Sequence, residues 1–240
     1  MGESVDKQRE HFERESAQYE AQLILNPPPH VTDELRCLLR YMHEAATPTG
    51  TVIDFGAGTG RLTVPLLQEG TTVHAIDISE ESLRRLRTLA DSIGYGAHLS
   101  CASALPLSNN AHLIMGTDVL HHVDIPAAVQ QFLLTLAPSG TCIFSEPNVL
   151  NPAWAVFITA SHKTSWSVES GILFTNYFSL RRYFTRTKCT VTIRGFALVP
   201  PQLLGFSKTL SRINYWLGDL PILKIFAFRL IIIATKSTNS

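Results

Sequence analysis

A chain of 240 residues, 45% hydrophobic and 17% charged, is long and apolar enough for one sizeable α/β domain, which excludes a disordered chain. Its formal net charge of +0 removes the general electrostatic case for nucleic-acid binding. Four scattered cysteines (Cys37, Cys101, Cys142, Cys189) offer neither a C-x-x-C pair nor zinc spacing. They read as reduced thiols of a cytoplasmic protein, with no disulfide framework and no metal site.

The first twenty-odd residues are charged and hold no apolar signal-peptide core. They predict an acidic amphipathic helix through Val5 to Leu25, ended by Pro27-Pro28-Pro29. A second helix follows, capped by Thr32 or Asp33 and burying Leu35, Leu38, Leu39 and Met42. Thr51 to Phe55, between Gly50 and Gly56, has the pattern of a fully buried parallel strand. A helix over Arg61 to Glu69, a strand over Thr72 to Ile76 and a helix capped by Ser79 come next. Strands follow at Ala97–Cys101, Leu113–Thr117 and Thr141–Ser145, with a helix over Pro126–Ala137 between the last two. Val191–Val199 and Arg229–Thr235 close the chain as an antiparallel pair. Between them a helix over Leu203–Leu217 carries Leu203, Phe206, Leu210, Ile213 and Leu217 on one stripe, near Lys208 and Arg212. This alternation predicts the α/β class: a doubly wound, Rossmann-like, mostly parallel sheet of seven strands with one antiparallel strand.

The most informative stretch is Asp54-Phe55-Gly56-Ala57-Gly58-Thr59-Gly60, where glycines follow a strand and open a helix. Backbone there can approach a ligand without interference from a Cβ. Asp77 ends the next strand, so both acids fall at the carboxyl edge, where Asp77 can accept from two ribose hydroxyls. A dinucleotide fingerprint would need its third glycine at the Arg61 position. Asp54 suits a cationic ligand better than a pyrophosphate; a turn that merely packs strand on helix is the plain alternative.

Asp54–Gly60 resembles motif I of the class I S-adenosylmethionine (SAM)-dependent methyltransferases, and Val73–Ser79 resembles the segment after it. Ala104–Leu107, Asp118–Val123 and Leu136–Gly140 are similar to later motifs of the small-molecule branch, and His11–Arg14 through Tyr19 to its N-terminal cap. The resemblance covers roughly the first two-thirds of the chain. It implies SAM as cofactor, with S-adenosylhomocysteine as product. It also implies one domain: a helical cap over 1–47, a SAM-binding core over 48–150, and an acceptor-pocket segment with the last strands over 151–240. Asp54, Gly56, Gly58 and Gly60 would line the methionine half, Asp77 the ribose, Ile78 the adenine face, and Ala102 the adenine edge. Asp118 and Tyr19 complete the implied cofactor set. Cys101 stands where the family carries an acid, and a thiol is a weak acceptor. Ala111-His112 replaces the usual Phe-Asp, and nothing explains that change.

Methyl transfer from a sulfonium needs positioning more than a base, unless the acceptor must lose a proton. His121 and His122 follow strand four, and a neutral imidazole there can act as base; helix-start or packing duty is the alternative. Glu146, in Ser145-Glu146-Pro147-Asn148, can orient an acceptor or remove its proton, with Asn148 adding a hydrogen bond. Phe12 and Tyr19 share a helical face and can form a lid over the sulfonium, or simply pack. Trp154, Phe157, Trp166, Phe174, Tyr177 and Phe178 suit a bulky apolar acceptor, with packing on the domain as the alternative.

Residues 1–150 hold 9 Lys/Arg against 18 Asp/Glu, whereas residues 151–240 hold 11 against two. The basic segment 151–240 can meet an anionic acceptor, an acyl carrier protein, a membrane surface or a second copy, or can be a solvated face. Pro221–Ala234 is too short to span a bilayer and is interrupted by Lys224 and Arg229. Two readings result. One is an O- or N-methyltransferase (C-methylation a variant) for a small apolar or aromatic metabolite in a biosynthetic pathway, with a lipid or quinone acceptor at a membrane surface as a variant. The other is a SAM-binding protein that does not methylate.

Overall fold

The computed structural model describes residues 21–45, 52–106, 108–160, 170–187 and 189–238. Helices α1 (Ala21–Leu25) and α2 (Pro29–Ala45) lead into the central strand β1 (Val52–Phe55). Then come α3 (Thr63–Gln68), β2 (Val73–Ile76), α4 (Glu80–Ser92), β3 (Leu99–Ala102), β4 (Ala111–Thr117), α5 (Ile125–Thr135) and β5 (Leu136–Pro147). The last third supplies α6 (Pro152–Ala160), α7 (Tyr177–Thr185), β6 (Cys189–Phe196), α8 (Lys208–Gly218) and β7 (Arg229–Lys236). No helix among the described residues is long and apolar enough to cross a membrane.

The strands form one seven-stranded sheet in the order β3-β2-β1-β4-β5-β7-β6, with β7 antiparallel to both neighbours. Apolar runs serve both faces by strict alternation. Leu113 and Met115 face α2, α3 and α4, whose Leu38, Leu66, Leu67 and Leu86 are fully buried. Ile114 and Ile232 point the opposite way, onto Phe132 of α5 and Leu180 and Phe184 of α7. Strand order reverses between β1 and β4, which opens a crevice at their carboxyl ends. The loops at 56–62, 77–79, 118–124 and 148–151 all meet there.

Helix starts follow from local chemistry. Ser79 Oγ accepts from Ser82 N at 3.1 Å, and Asp124 Oδ1 from Ala127 N at 3.0 Å. Two predicted starts move by about a turn. Helix α2 begins at Pro29 rather than at Thr32 or Asp33, because a proline at the first helical position loses no hydrogen bond. Helix α8 begins at Lys208, with Ser207 as its cap, because Pro200-Pro201 and Gly205 keep the preceding residues in a short 3-10 turn and loop. Strand β5 extends past both predicted ends, to Leu136 and Pro147.

Candidate active site

The glycine turn is shaped by its neighbours. A Cβ at Gly56 (φ +74°) would collide with Val119, and one at Gly60 would crowd Leu86 of α4. A Cβ at Gly58 (φ +51°) would meet nothing within 4 Å, so this glycine faces open space. Asp77 pins the turn: Gly58 N donates to Oδ2 at 2.7 Å and Ser79 N to Oδ1 at 2.8 Å. Pairing of Ile76 with Ala102 sets Ile78, Cys101 and Ala102 beside it, all half-buried. Cys101 Sγ lies 3.9 Å from Arg87 Nη2, and burial raises its thiol pKa.

Asp54 is the chemically tense member. It is buried, and Thr63 Oγ1 donates to its Oδ2 at 2.6 Å. Burial pushes its carboxyl up to about 7 against that bond, and the neighbouring Asp77 adds to the rise. A carboxyl so placed favours a cation nearby, which would restore its charged form. These residues therefore fit a cationic nucleoside ligand: open backbone at Gly58, a buried acid at Asp54 and a partly exposed acid at Asp77.

On the other side of the crevice lies a cavity of about 350 Å³. Trp154, Phe157, Ile158, Phe196 and Phe228 form its apolar wall; His121, His122, Glu34, Arg61, Asp118 and Arg229 are among its polar lining. Trp154 stacks on Phe228 with ring centroids 4.6 Å apart, and its Nε1 donates to the Phe228 carbonyl at 2.6 Å. Of the other aromatics expected to build a pocket, Phe174 and Phe178 are exposed and Tyr177 packs on the core. Trp166, Phe12 and Tyr19 lie outside the described residues, as does most of the predicted N-terminal helix.

His121 and Glu146 form a buried pair, with Nδ1 2.7 Å from Oε2. The other carboxylate oxygen accepts from Val119 N at 2.9 Å and Leu120 N at 2.8 Å. Glu146 is thus engaged with the loop that carries the histidines. Asn148, expected to reach an acceptor, instead donates to the carbonyls of Ile225 and Ala227.

The cavity floor holds a charge network. Arg229 lies 2.8 Å from Glu34 and 2.7 Å from Asp118; Arg61 lies 2.9 Å from Glu34 and 2.7 Å from Asp118. Ser145 Oγ donates to Glu34 at 2.7 Å. Burial alone would raise the Asp118 carboxyl and lower Arg229, but their mutual attraction wins: Asp118 is held well below the usual range and Arg229 is raised. Asp118 itself adopts positive φ (55°) at the exit of β4. Sequence reasoning missed Glu34, Arg61 and Arg229 as site residues. Arg229 had a visible signal, a lone cation opening the apolar run Leu230–Ala234; Glu34 gave none beyond being an acid beside core leucines.

The methyltransferase domain model matches residues 30–192. An uncharacterized methyltransferase of Mycobacterium bovis is 35% identical over 91 residues, 37% of this chain and 36% of that protein. A ubiquinone biosynthesis O-methyltransferase of Idiomarina loihiensis is 27% identical over 121 residues, 48% of this chain and 50% of that protein. The chain thus spans between about a third and a half of the length of these curated relatives. A SAM-dependent methyltransferase of Thermotoga maritima, described as a possible histamine N-methyltransferase, superposes with TM-score 0.65 at 16% identity over 96% of this chain and all of that one. Geranyl diphosphate C-methyltransferase of Streptomyces coelicolor, solved with S-adenosyl-L-homocysteine, reaches 0.57 at 16% identity over 85% and 78%. At such identities the likeness is one of fold. The matched domain, the glycine turn with its two acids and the sheet order together make this chain a member of the class I SAM-dependent methyltransferase family, whose cofactor is S-adenosylmethionine.

Proposed function

We propose that the protein transfers a methyl group from SAM to a hydroxyl or amine of a small, largely apolar or aromatic acceptor in a biosynthetic pathway. The observation that carries this reading is the aromatic-walled cavity that shares the carboxyl edge of the sheet with the glycine turn and is lined by His121 and His122. Gly56, Gly58 and Gly60 would shape the backbone against the methionine half, Asp54 would balance its positive charge, and Asp77 would hold the ribose. Ile78 and Ala102 would border the adenine, with Cys101 beside them. SAM supplies an activated methyl group on a sulfonium. Asp118 would act through Arg61, orienting the guanidinium that follows the glycine turn.

The acceptor's proton is the chain's task. With one Glu146 oxygen accepting from two backbone N–H groups and the other facing Nδ1, the carboxylate is an acceptor, so His121 Nδ1–H donates to it. The lone pair then resides on Nε2, the nitrogen suited to take a proton. His121 is the base in this assignment, His122 flanks it in the cavity, and Glu146 is a positioning residue.

Radiolabelled methyl transfer to a panel of phenols and aromatic amines tests this. His121→Ala is expected to lower kcat by about 10²–10⁴-fold with SAM binding retained. Glu146→Gln should displace the acidic limb of the pH profile, which a merely structural loss would not do. A His121→Ala enzyme with unchanged kcat sinks the base assignment; a folded wild type that neither binds SAM nor transfers methyl sinks the whole reading.

Asp54 gives a pH dependence of known sign. Its folded-state pKa, about 7, lies above the unfolded value, so its burial costs stability progressively as pH rises through that range. A cationic ligand recovers part of this. SAM should therefore bind more tightly as pH rises from about 6 to about 8, with proton release near pH 7. Calorimetry in buffers of different ionisation enthalpy reads that release. Asp54→Asn should abolish it, and a pH-independent wild type would remove Asp54 from the cofactor site.

A further inference from the structure

Helix α8 is built inside out. The side that meets the domain carries its polar groups: Asn214 Oδ1 accepts from Leu198 N and Val199 N, its Nδ2 donates to Val199 O, and Tyr215 OH donates to Asp33 at 2.8 Å. Ser211 and Gly218 share that side, and Gly218 lies against the Ala197 backbone. Of the apolar stripe Leu203, Phe206, Leu210, Ile213 and Leu217, the first four are exposed and Leu217 is half-buried. Ile213 and Trp216, three residues apart, stand at the outward pole, with Trp216 63% exposed; in the loop before the helix Phe206 is 80% exposed. Hydrogen bonds and the stack of Tyr215 on Phe196, with ring centroids 4.7 Å apart, hold this helix to the protein, which leaves the outward apolar side chains exposed.

We propose that α8 and the loop at 203–207 dock onto the headgroup layer of an anionic phospholipid bilayer. Charge selects this occupant. Between Ala197 and Phe228 the only acid is Asp219, which accepts from Gly195 N and pairs with Arg194. The cations Lys208 and Arg212 are exposed on one flank of the apolar pole, where their stems can lie along the interface and their heads reach phosphates. A two-fold contact with a second copy would set this basic, apolar patch on itself with no free acid to answer Lys208 and Arg212. Trp216 at the pole and Phe206 in the adjoining loop match the side chains that favour a membrane interface. The patch also borders the cavity: Pro201 and Gln202 line it, and Leu203 follows directly in the exposed loop. An apolar acceptor dissolved in the bilayer would so enter beside the docked helix. That route rests on the acceptor reading above, whereas the docking does not.

The test is flotation of the full chain with phosphatidylcholine vesicles, with and without about one-third phosphatidylglycerol, across a salt series. Binding is expected only with the anionic lipid and should weaken with salt. Phe206→Ser with Trp216→Ser should lower vesicle affinity about a hundredfold, and Lys208→Glu with Arg212→Glu at least tenfold, with unchanged circular dichroism. No binding to anionic vesicles, or binding that both variants leave intact, overturns the proposal. So does a dimer, or a complex with an acyl carrier protein, that the same variants abolish while no vesicle binding occurs. Methyl transfer to a soluble acceptor should survive the Phe206/Trp216 change. Failure of transfer in the wild type would count against the enzymatic reading alone.

Discussion

Asp77→Ala is expected to weaken SAM binding by about 10²–10⁴-fold while the protein stays folded. The magnitude follows from two hydrogen bonds to a charged acceptor, each worth roughly 1.5–3 kcal/mol. The carboxylate is already engaged with the chain, accepting from Gly58 N and Ser79 N. Each oxygen has further acceptor capacity, so one group can both pin the glycine turn and receive a ribose. Loss of the side chain would remove the sugar contacts and release the turn together. Asp77→Asn separates the effects, since an amide retains one acceptor oxygen and presents donors where the other stood. Calorimetry with SAM and S-adenosylhomocysteine on all three proteins decides. An alanine variant that binds within threefold of wild type would remove Asp77 from the ribose site.

The largest effect on stability is expected at Arg229. Its guanidinium is buried between Glu34 and Asp118 and also donates to the Ser145 carbonyl at 3.0 Å. Arg229→Met would leave two carboxylates sharing Arg61 as their ion-pair partner among the described residues. Breaking a buried ion pair from one side costs about 3–5 kcal/mol, because the remaining charge stays out of water. For a chain of this length that is a fall of roughly 6–20 °C in Tm. The acid limb should move too. Asp118 is held low chiefly by Arg229 and then Arg61, so it contributes stability that is present above its unfolded pKa and lost as pH falls through the folded one. Without Arg229 that folded pKa rises, and acid unfolding should begin at higher pH. Arg229→Met combined with Glu34→Gln should be less destabilised than the two single changes added together, since the pair is coupled. Additive losses, or a Tm within about 2 °C of wild type, would mean that the network is only a crowded surface.

The family and the sheet were legible in the sequence because both are written in local chemistry. A buried parallel strand needs a continuous apolar run, a helix start needs a cap such as Ser79, and close backbone approach needs glycine where Gly56 and Gly58 stand. Each of these is decided within a few residues of the chain. Phe174 and Phe178 show the limit of that logic. Composition marked them for a pocket, yet they lie exposed, while Phe196 at the end of β6 and Phe228 just before β7 help to close the cavity.

The amino-acid sequence by itself determined the α/β alternation, the order of helices and strands, the glycine turn and the place of Asp54 and Asp77 at the ends of neighbouring strands. Only the tertiary structure decided what the other polar groups face. Glu34, Asp118 and Arg229 are far apart in sequence and meet because α2, β4 and β7 converge on one sheet edge. Glu146 turned toward the His121 loop, and Leu210, Ile213 and Trp216 of α8 turned outward because Asn214 and Tyr215 found partners inward. A periodic pattern shows that a helix has two faces. Which face is buried depends on the hydrogen-bond partners the rest of the fold presents, and these are set by contacts between residues remote in the chain.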